Sequence, residues 1–278
     1  MFKAFLGLTI SFIFLTGCQY IENHNLTKEQ KIEKPTTHTE DTTQNDQNQN
    51  VDQEIKEEEP INSNFFLEEK YFNEVKVSNG QAIIQNPDNI LVLVNKEYSL
   101  PQDYVPQDLT KPNIPFSFGD LDIPKRYMRE EAARAVEEMF QAAKIDGIFL
   151  YGVSAFRPYN YQLNLFNNEV NEKGEELAVQ AVARPGQSEH QTGLTIDITS
   201  ESVQYQITQK FGETKEGKWV EENAYKFGFI IRYPKGKEKI TKYQYEPWHI
   251  RYVGKKVAKI IKEHDLTLEE YFEKVKKI

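Results

Sequence analysis

The chain has 278 residues, 34 basic and 43 acidic, for a formal charge of −9. That is length enough for one sizeable domain with segments to spare, and the wrong sign for a nucleic-acid binder. Cys18 is the single cysteine, which excludes an internal disulfide framework and leaves any folded part to be held by its apolar core. The acidic excess is uneven: eleven acidic and four basic side chains fall between residues 19 and 60, so the rest of the chain is close to neutral.

Taken in order, residues 1–18 read as an export signal. Lys3 precedes an apolar run, Ala4 to Leu15, too short for the ~20 residues of a bilayer-spanning helix. Leu15-Thr16-Gly17-Cys18 resembles a bacterial lipobox, which implies cleavage before Cys18 and lipid attachment to its thiol; an ordinary cleaved signal or a short anchor is the alternative. Residues 19–62 are rich in Thr, Gln, Asn and acidic side chains, a composition that cannot bury enough surface to offset ordering entropy, and they read as a disordered acidic tether. Residues 63–278 are the expected folded domain.

Within that domain Ile90 to Val94 is β-rich and short enough to be a strand after the turn cluster Asn86-Pro87-Asp88-Asn89. The proline-rich stretch from Leu100 to Pro124 predicts an extended strap. Met128 to Lys144 is a helix with Ala132, Val136, Met139, Phe140 and Ala143 on its apolar face, stopped by Asp146-Gly147. Ile148 to Val153 predicts a buried strand that delivers Ser154-Ala155-Phe156-Arg157 at its end. An arginine placed there reaches into a site, with a solvated side chain or a surface ion pair as the alternative. Helices are expected over Tyr159–Val170 and Glu175–Ala183, and the alternation in Leu194 to Thr199 predicts a half-buried strand with Asp197 on its polar face. Trp219 to Phe227 reads as a helix ended by Gly228, Phe229 to Tyr233 as a strand, and Tyr243 to Ile250 as a strand made irregular by Pro247. Lys255 to Glu263 is a further helix, and Thr267-Leu268-Glu269-Glu270 is a capping box opening the last one.

Five histidines are present. His24 and His38 fall in the tether, and His264 lies in a charged stretch. The other two each arrive with a carboxylate at short spacing: His190 with Asp197, and His249 with Glu246 three positions before it. A lone histidine beside a tryptophan is more often packed than metal-bound, but three N, O and N ligands plus one base form the minimum kit of a hydrolytic zinc centre. His190, Asp197 and His249 suit zinc better than calcium or magnesium, which favour all-oxygen cages. Pro247 matters here, because Glu246 and His249 have opposite parity and reach one metal only if the strand is irregular.

On these residues the sequence resembles the zinc D-alanyl-D-alanine carboxypeptidases typified by VanY, together with the related LdcB carboxypeptidases. Ser188, His190, Gly193 and Asp197 match Ser-x-His-x-x-Gly-x-Ala-x-Asp, with Thr195 in place of the usual alanine. Glu246, Trp248 and His249 match Glu-x-Trp-His. Ser154-Ala155-Phe156-Arg157 stands for the arginine motif, followed by Pro158, a departure, and then by Tyr159 to Gln162 as Tyr-x-x-Gln. The resemblance implies an α+β fold, a small mostly antiparallel sheet flanked by helices with the zinc site on the sheet face. It implies that His190, Asp197 and His249 hold zinc, Glu246 is the general base, and Arg157 neutralises the oxyanion, with Ser188 and Gln162 holding substrate or serving only as structural caps. The implied substrates are peptidoglycan stem peptides ending in D-alanine. The implied partners are those peptides and, through lipid on Cys18, the outer face of the cell membrane towards the wall; the protein is expected to be a monomer that binds no nucleic acid. The first expectation is a D-alanyl-D-alanine carboxypeptidase; L,D-cleavage of tetrapeptide stems is the alternative, which the zinc chemistry does not separate from it, and a wall endopeptidase or a binding module without catalysis comes after both.

Overall fold

The computed structural model describes residues 65–278; the expected signal, Cys18 and the acidic tether lie outside the described residues. The first strands are short: β1 (Phe66–Leu67), the hairpin β2 (Val75–Ser78) and β3 (Gln81–Ile84), then β4 (Tyr98–Ser99), β5 (Leu109–Thr110) and β6 (Met128–Arg129). Helix α1 (Glu130–Ile145) follows, then β7 (Tyr151–Ser154), α2 (Tyr159–Lys173), α3 (Glu175–Ala181) and β8 (Thr195–Thr199). The chain continues through α4 (Lys215–Asn223), β9 (Phe229–Tyr233), α5 (Glu238–Thr241) and β10 (Glu246–Tyr252), and ends with α6 (Lys255–Glu263), α7 (Leu268–Lys274) and β11 (Lys276–Lys277).

The principal sheet has the order β7-β8-β10-β9 and is antiparallel throughout, in keeping with the expected α+β class. Its apolar face packs on α1. Ala132, Val136, Met139, Phe140 and Ala143 meet Leu194, Ile196, Ile198, Phe229 and Ile250 in one buried cluster, each fully buried large aliphatic side chain contributing about 1.5–3 kcal/mol relative to exposure. A second cluster joins α6 and α7 through Val257, Ile260, Ile261, Leu268 and Tyr271 to Leu91, Leu93 and Ile230. The capping box forms at α7: the Thr267 hydroxyl accepts from the Glu270 amide, and the Glu270 carboxylate accepts from the Thr267 amide. Gly228, in the left-handed conformation at φ 87°, terminates the helical turn before β9.

Three expectations are corrected. Leu91 to Val94 is buried and Ile90 partly so, but the run is no strand, because most of its paired backbone groups meet side chains. Asn73 brackets Leu93, donating to its carbonyl at 2.7 Å and accepting from its amide at 3.1 Å, while Arg251 donates to the carbonyls of Ile90 and Val92 at 3.0 and 2.9 Å. Strand β8 is buried at all five positions and not on one face alone; its polar face supports the site and is itself covered. Trp219 to Phe227 splits into the end of α4 and a separate 3₁₀ turn over Ala224–Phe227.

Candidate metal and hydrolytic site

The site is built across the middle of the sheet, where β8 and β10 pair with His249 directly opposite Asp197. Residues opposite each other on antiparallel strands project to the same side, which brings imidazole and carboxylate together. Glu246 joins them through the expected irregularity. Against β9 the register of β10 shifts between Glu246 and Ile250, since Glu246 pairs with Tyr233 but Ile250 with Ile231. The extra residues turn Glu246 back towards its neighbour, and its Oε2 lies 3.5 Å from His249 Nδ1.

His190 arrives from the 3₁₀ turn Glu189–Thr192, which closes on Gly193 in the left-handed conformation at φ 67°. The Thr192 hydroxyl locks the turn, donating to the Glu189 carbonyl at 2.6 Å and accepting from the Leu194 amide at 3.0 Å. The arginine motif is tied to the same turn. His190 Nδ1 meets the Ala155 carbonyl at 2.7 Å, and the Arg157 amide donates to the His190 carbonyl at 3.1 Å. A proton held on Nδ1 in this way leaves His190 Nε2 with its lone pair directed into the site.

The three proposed ligand atoms converge. His190 Nε2 and His249 Nδ1 lie 3.4 and 3.3 Å from Asp197 Oδ1, and all three residues can offer one atom each within 4.8 Å of the others. A tetrahedral zinc ion with bonds of ~2.0–2.1 Å has edges of about 3.3–3.4 Å. His190 Nε2 and Asp197 Oδ1 are also buried and without hydrogen-bond partners, an arrangement that is costly unless something binds there. The donor set fits zinc on both counts.

The electrostatics support that fit. Burial, reinforced by the Arg157 guanidinium, pushes His190 down to about 4, so its imidazole is neutral and ready to ligate. Burial alone would push His249 down as well, but the carboxylates of Asp197, Glu189 and Glu246 around it raise it to about 9. Burial raises Glu246 to about 7, against the lowering effect of His249 and Arg157, which poises the group between acid and base near neutral pH.

Arg157, Gln162, Ser188, His190, Glu246 and His249, singled out from sequence, all line one small cavity of about 70 Å³; Asp197 lies beneath it, 8% exposed. Gln162 anchors itself by donating to the Ala183 carbonyl at 2.8 Å and keeps a buried Oε1 without a partner. Ser188 precedes the His190 turn but makes no capping hydrogen bond with its side chain, so the purely structural alternative for it is not observed. Pro158 opens α2 at φ −65° and leaves Arg157 in the cavity wall. A larger cleft of about 600 Å³ lies between the Phe72–Tyr98 region and α5 and α7. It lacks the converging ligands, and chemistry, not volume, selects the smaller cavity.

Four residues went unmarked as functional in the sequence. Tyr233 lies tilted against His249 with ring centroids 4.8 Å apart, and Tyr243 packs on Tyr233 at 4.6 Å. Glu189 and Arg251 are wholly buried behind the proposed ligands. A charge set inside an apolar strand, as in Trp248-His249-Ile250-Arg251, was the one available sign of them.

Known proteins are similar to this chain. The VanY profile, D-alanyl-D-alanine carboxypeptidase, matches residues 125–255. YodJ of Bacillus subtilis (strain 168), a candidate carboxypeptidase, is 52% identical over 98% of this chain and 96% of its own length. A D-alanyl-D-alanine carboxypeptidase of Enterococcus faecium is 34% identical over 99% of this chain and 80% of its own. Among solved structures, the LdcB LD-carboxypeptidase, a structure described as revealing the basis of peptidoglycan recognition, superposes with a TM-score of 0.75 at 60% identity, covering 77% of this chain and all of that one. VanYB in complex with D-alanine-D-alanine gives a TM-score of 0.56 at 32% identity over 67% of this chain and 99% of that one. A VanY mutant in complex with Zn(II) is similar to the same degree, with a TM-score of 0.54 at 32% identity over 66% of this chain and 98% of that one.

Proposed function

The chain belongs to the VanY family of D-alanyl-D-alanine carboxypeptidases, and from that premise we propose that it is a zinc enzyme removing a C-terminal D-alanine from peptidoglycan stem peptides. It is a carboxypeptidase, and so a hydrolase. One observation carries the zinc reading: the buried atoms His190 Nε2, Asp197 Oδ1 and His249 Nδ1 converge beside the cavity lined by Glu246 and Arg157, the first two without any hydrogen-bond partner. Zinc, when bound, acidifies a water molecule and polarises the scissile carbonyl. Glu246, beside His249 and with its carboxyl raised towards neutral pH, takes the proton of the attacking water and returns it to the leaving amine. Arg157 sets its guanidinium where negative charge develops on the substrate carbonyl oxygen. Ser188, the free Oε1 of Gln162 and the unpartnered Tyr243 hydroxyl are polar groups available to the substrate's own carboxylate and peptide groups.

Of the two stem-peptide chemistries, L,D-cleavage of tetrapeptide stems has the support of the 60%-identical LdcB structure. D,D-cleavage of pentapeptide stems has that of the family profile and of the E. faecium relative. The higher identity over the whole of the LdcB chain puts the L,D reading first. Zinc-loaded protein incubated with defined tetrapeptide and pentapeptide muropeptides should release one D-alanine from the tetrapeptide, seen as a loss of mass. Release from the pentapeptide alone would make it a D,D-enzyme, and cleavage within the stem would make it an endopeptidase. Glu246→Gln should keep its zinc and lose ~10²–10⁴-fold in turnover; a variant that loses its metal instead would make Glu246 a ligand. The same proposal places the enzyme on the outer face of the cell membrane, facing the wall, held by lipid on Cys18.

A further inference from the structure

On the Nε2 side of His249 sits a carboxylate that the hydrolysis leaves unused. Glu189 lies in the turn immediately before His190, and its side chain has no exposure to solvent. Its Oε1 accepts from Arg232 Nε at 2.8 Å and from Arg251 Nη1 at 2.7 Å. Neither arginine is free to turn away. Arg232 donates its other two nitrogens to the Glu269 carboxylate at 2.9 and 2.6 Å, and Arg251 donates to the carbonyls of Ile90, Val92 and Tyr252. Two immobile, fully buried guanidinium groups therefore fix the plane of the Glu189 carboxylate. Its remaining oxygen, Oε2, stands 3.5 Å from the Thr195 hydroxyl and 3.7 Å from His249 Nε2. That nitrogen is buried and has no hydrogen-bond partner of its own. Thr195 thus adds a hydroxyl on the same oxygen.

We propose that Glu189 is a positioning residue for the metal centre: when His249 gives Nδ1 to the metal, its Nε2–H is held by Glu189 Oε2, which fixes the tautomer and the plane of the ring. At 3.7 Å the pair stands just outside hydrogen-bond length, so the contact closes as the imidazole settles into ligation. A metal-bound histidine ordinarily donates its other N–H to such a partner, and loss of the partner typically weakens metal binding ~10–100-fold. The chain has evident means to place that partner, since the arginines pin one oxygen and present the other. The rival role for Glu189 is charge compensation alone, and the two roles predict different behaviour.

The inference rests on the zinc reading above, and its test separates the two. Zinc affinity of the full-length folded protein is read by competition with a chromophoric chelator in the parent, in Glu189→Gln and in Glu269→Gln. The last removes a carboxylate from Arg232 without touching His249. Glu189→Gln should bind zinc ~10–100-fold more weakly, and Glu269→Gln should bind it as the parent does. Parental affinity in folded Glu189→Gln, or equal weakening in both variants, overturns the inference and leaves the zinc reading standing; a parent that takes up no zinc overturns both. Long-range ¹H–¹⁵N spectra of the zinc-loaded parent decide the matter even if Glu189→Gln does not fold. His249 should carry a slowly exchanging proton on Nε2, and a proton on Nδ1, or one on Nε2 that exchanges as fast as that of an exposed imidazole, overturns the proposal.

Discussion

At the scale of single residues, the two histidines that sequence treats alike are made unlike by their surroundings. His190 has a backbone carbonyl on Nδ1 and an arginine nearby, and is neutral through the physiological range. His249 is ringed by three carboxylates and keeps its proton up to about 9. A metal ion must therefore displace that proton before His249 can ligate. The sign follows directly: below about 9 the metal competes with a proton for Nδ1, so apparent zinc affinity falls by about tenfold for each unit of pH between 9 and 7. Below 7 the dependence steepens, because the Glu246 carboxyl is then also protonated in the metal-free protein. Calorimetry at pH 7.5 in buffers of different ionisation enthalpy should find about one proton released per zinc; uptake of zinc without proton release would mean that His249 is neutral before the metal arrives. The four charged groups behind the site were harder to read. His190, Asp197, Glu246 and His249 are recognisable by residue type and spacing, whereas Glu189 acquires a role only when Arg232 and Arg251, 43 and 62 positions further on, fold onto it.

At the scale of elements, the turn from His190 into β8 is the part with least tolerance. Gly193 holds φ at 67°, and a Cβ built there would lie 2.9 Å from Leu109 Cδ2 and 3.1 Å from Arg129 Cγ. The same residue accepts from the Arg129 amide at 2.8 Å, so β6 and the turn are pressed together. Gly193→Ala combines about 1–2 kcal/mol of left-handed backbone strain with that crowding. Thermal unfolding should show a fall of several degrees in Tm, with weaker zinc binding because the turn separates His190 from Asp197; an unchanged Tm would mean that β6 and the strap yield easily. Elements whose reasons are local were legible. The apolar face of α1, the full extent of β9, the capping box of α7 and the irregularity at Pro247 all follow from residues within one or two turns of each other. Ile90 to Val94 misled because its hydrogen-bond partners are Asn73 and Arg251, side chains far off in sequence, and not a neighbouring strand. The half-buried reading of β8 failed for a related reason: alternation of polar and apolar residues marks two different environments, and in β8 the polar one is itself buried and carries the proposed ligand Asp197.

At the scale of the whole molecule, among the described residues no helix is long and apolar enough to cross a membrane, and the folded domain holds two apolar cores and a site built from its own strands and turns. We propose that attachment acts through the segment before the described residues, where the sequence offers one chemical handle, Cys18 after Leu15-Thr16-Gly17. Attachment and catalysis should therefore be separable. Cys18→Ser is expected to leave the purified protein's rate on soluble muropeptides unchanged, and in cells to shift it from the membrane fraction to the medium or leave it unprocessed. Fractionation followed by immunoblotting reads this directly. If the variant stays processed and membrane-bound, the apolar run from Ala4 to Leu15 is the anchor; if the rate itself falls, the segment before the domain reaches the active site, and the separation of tether from enzyme is wrong.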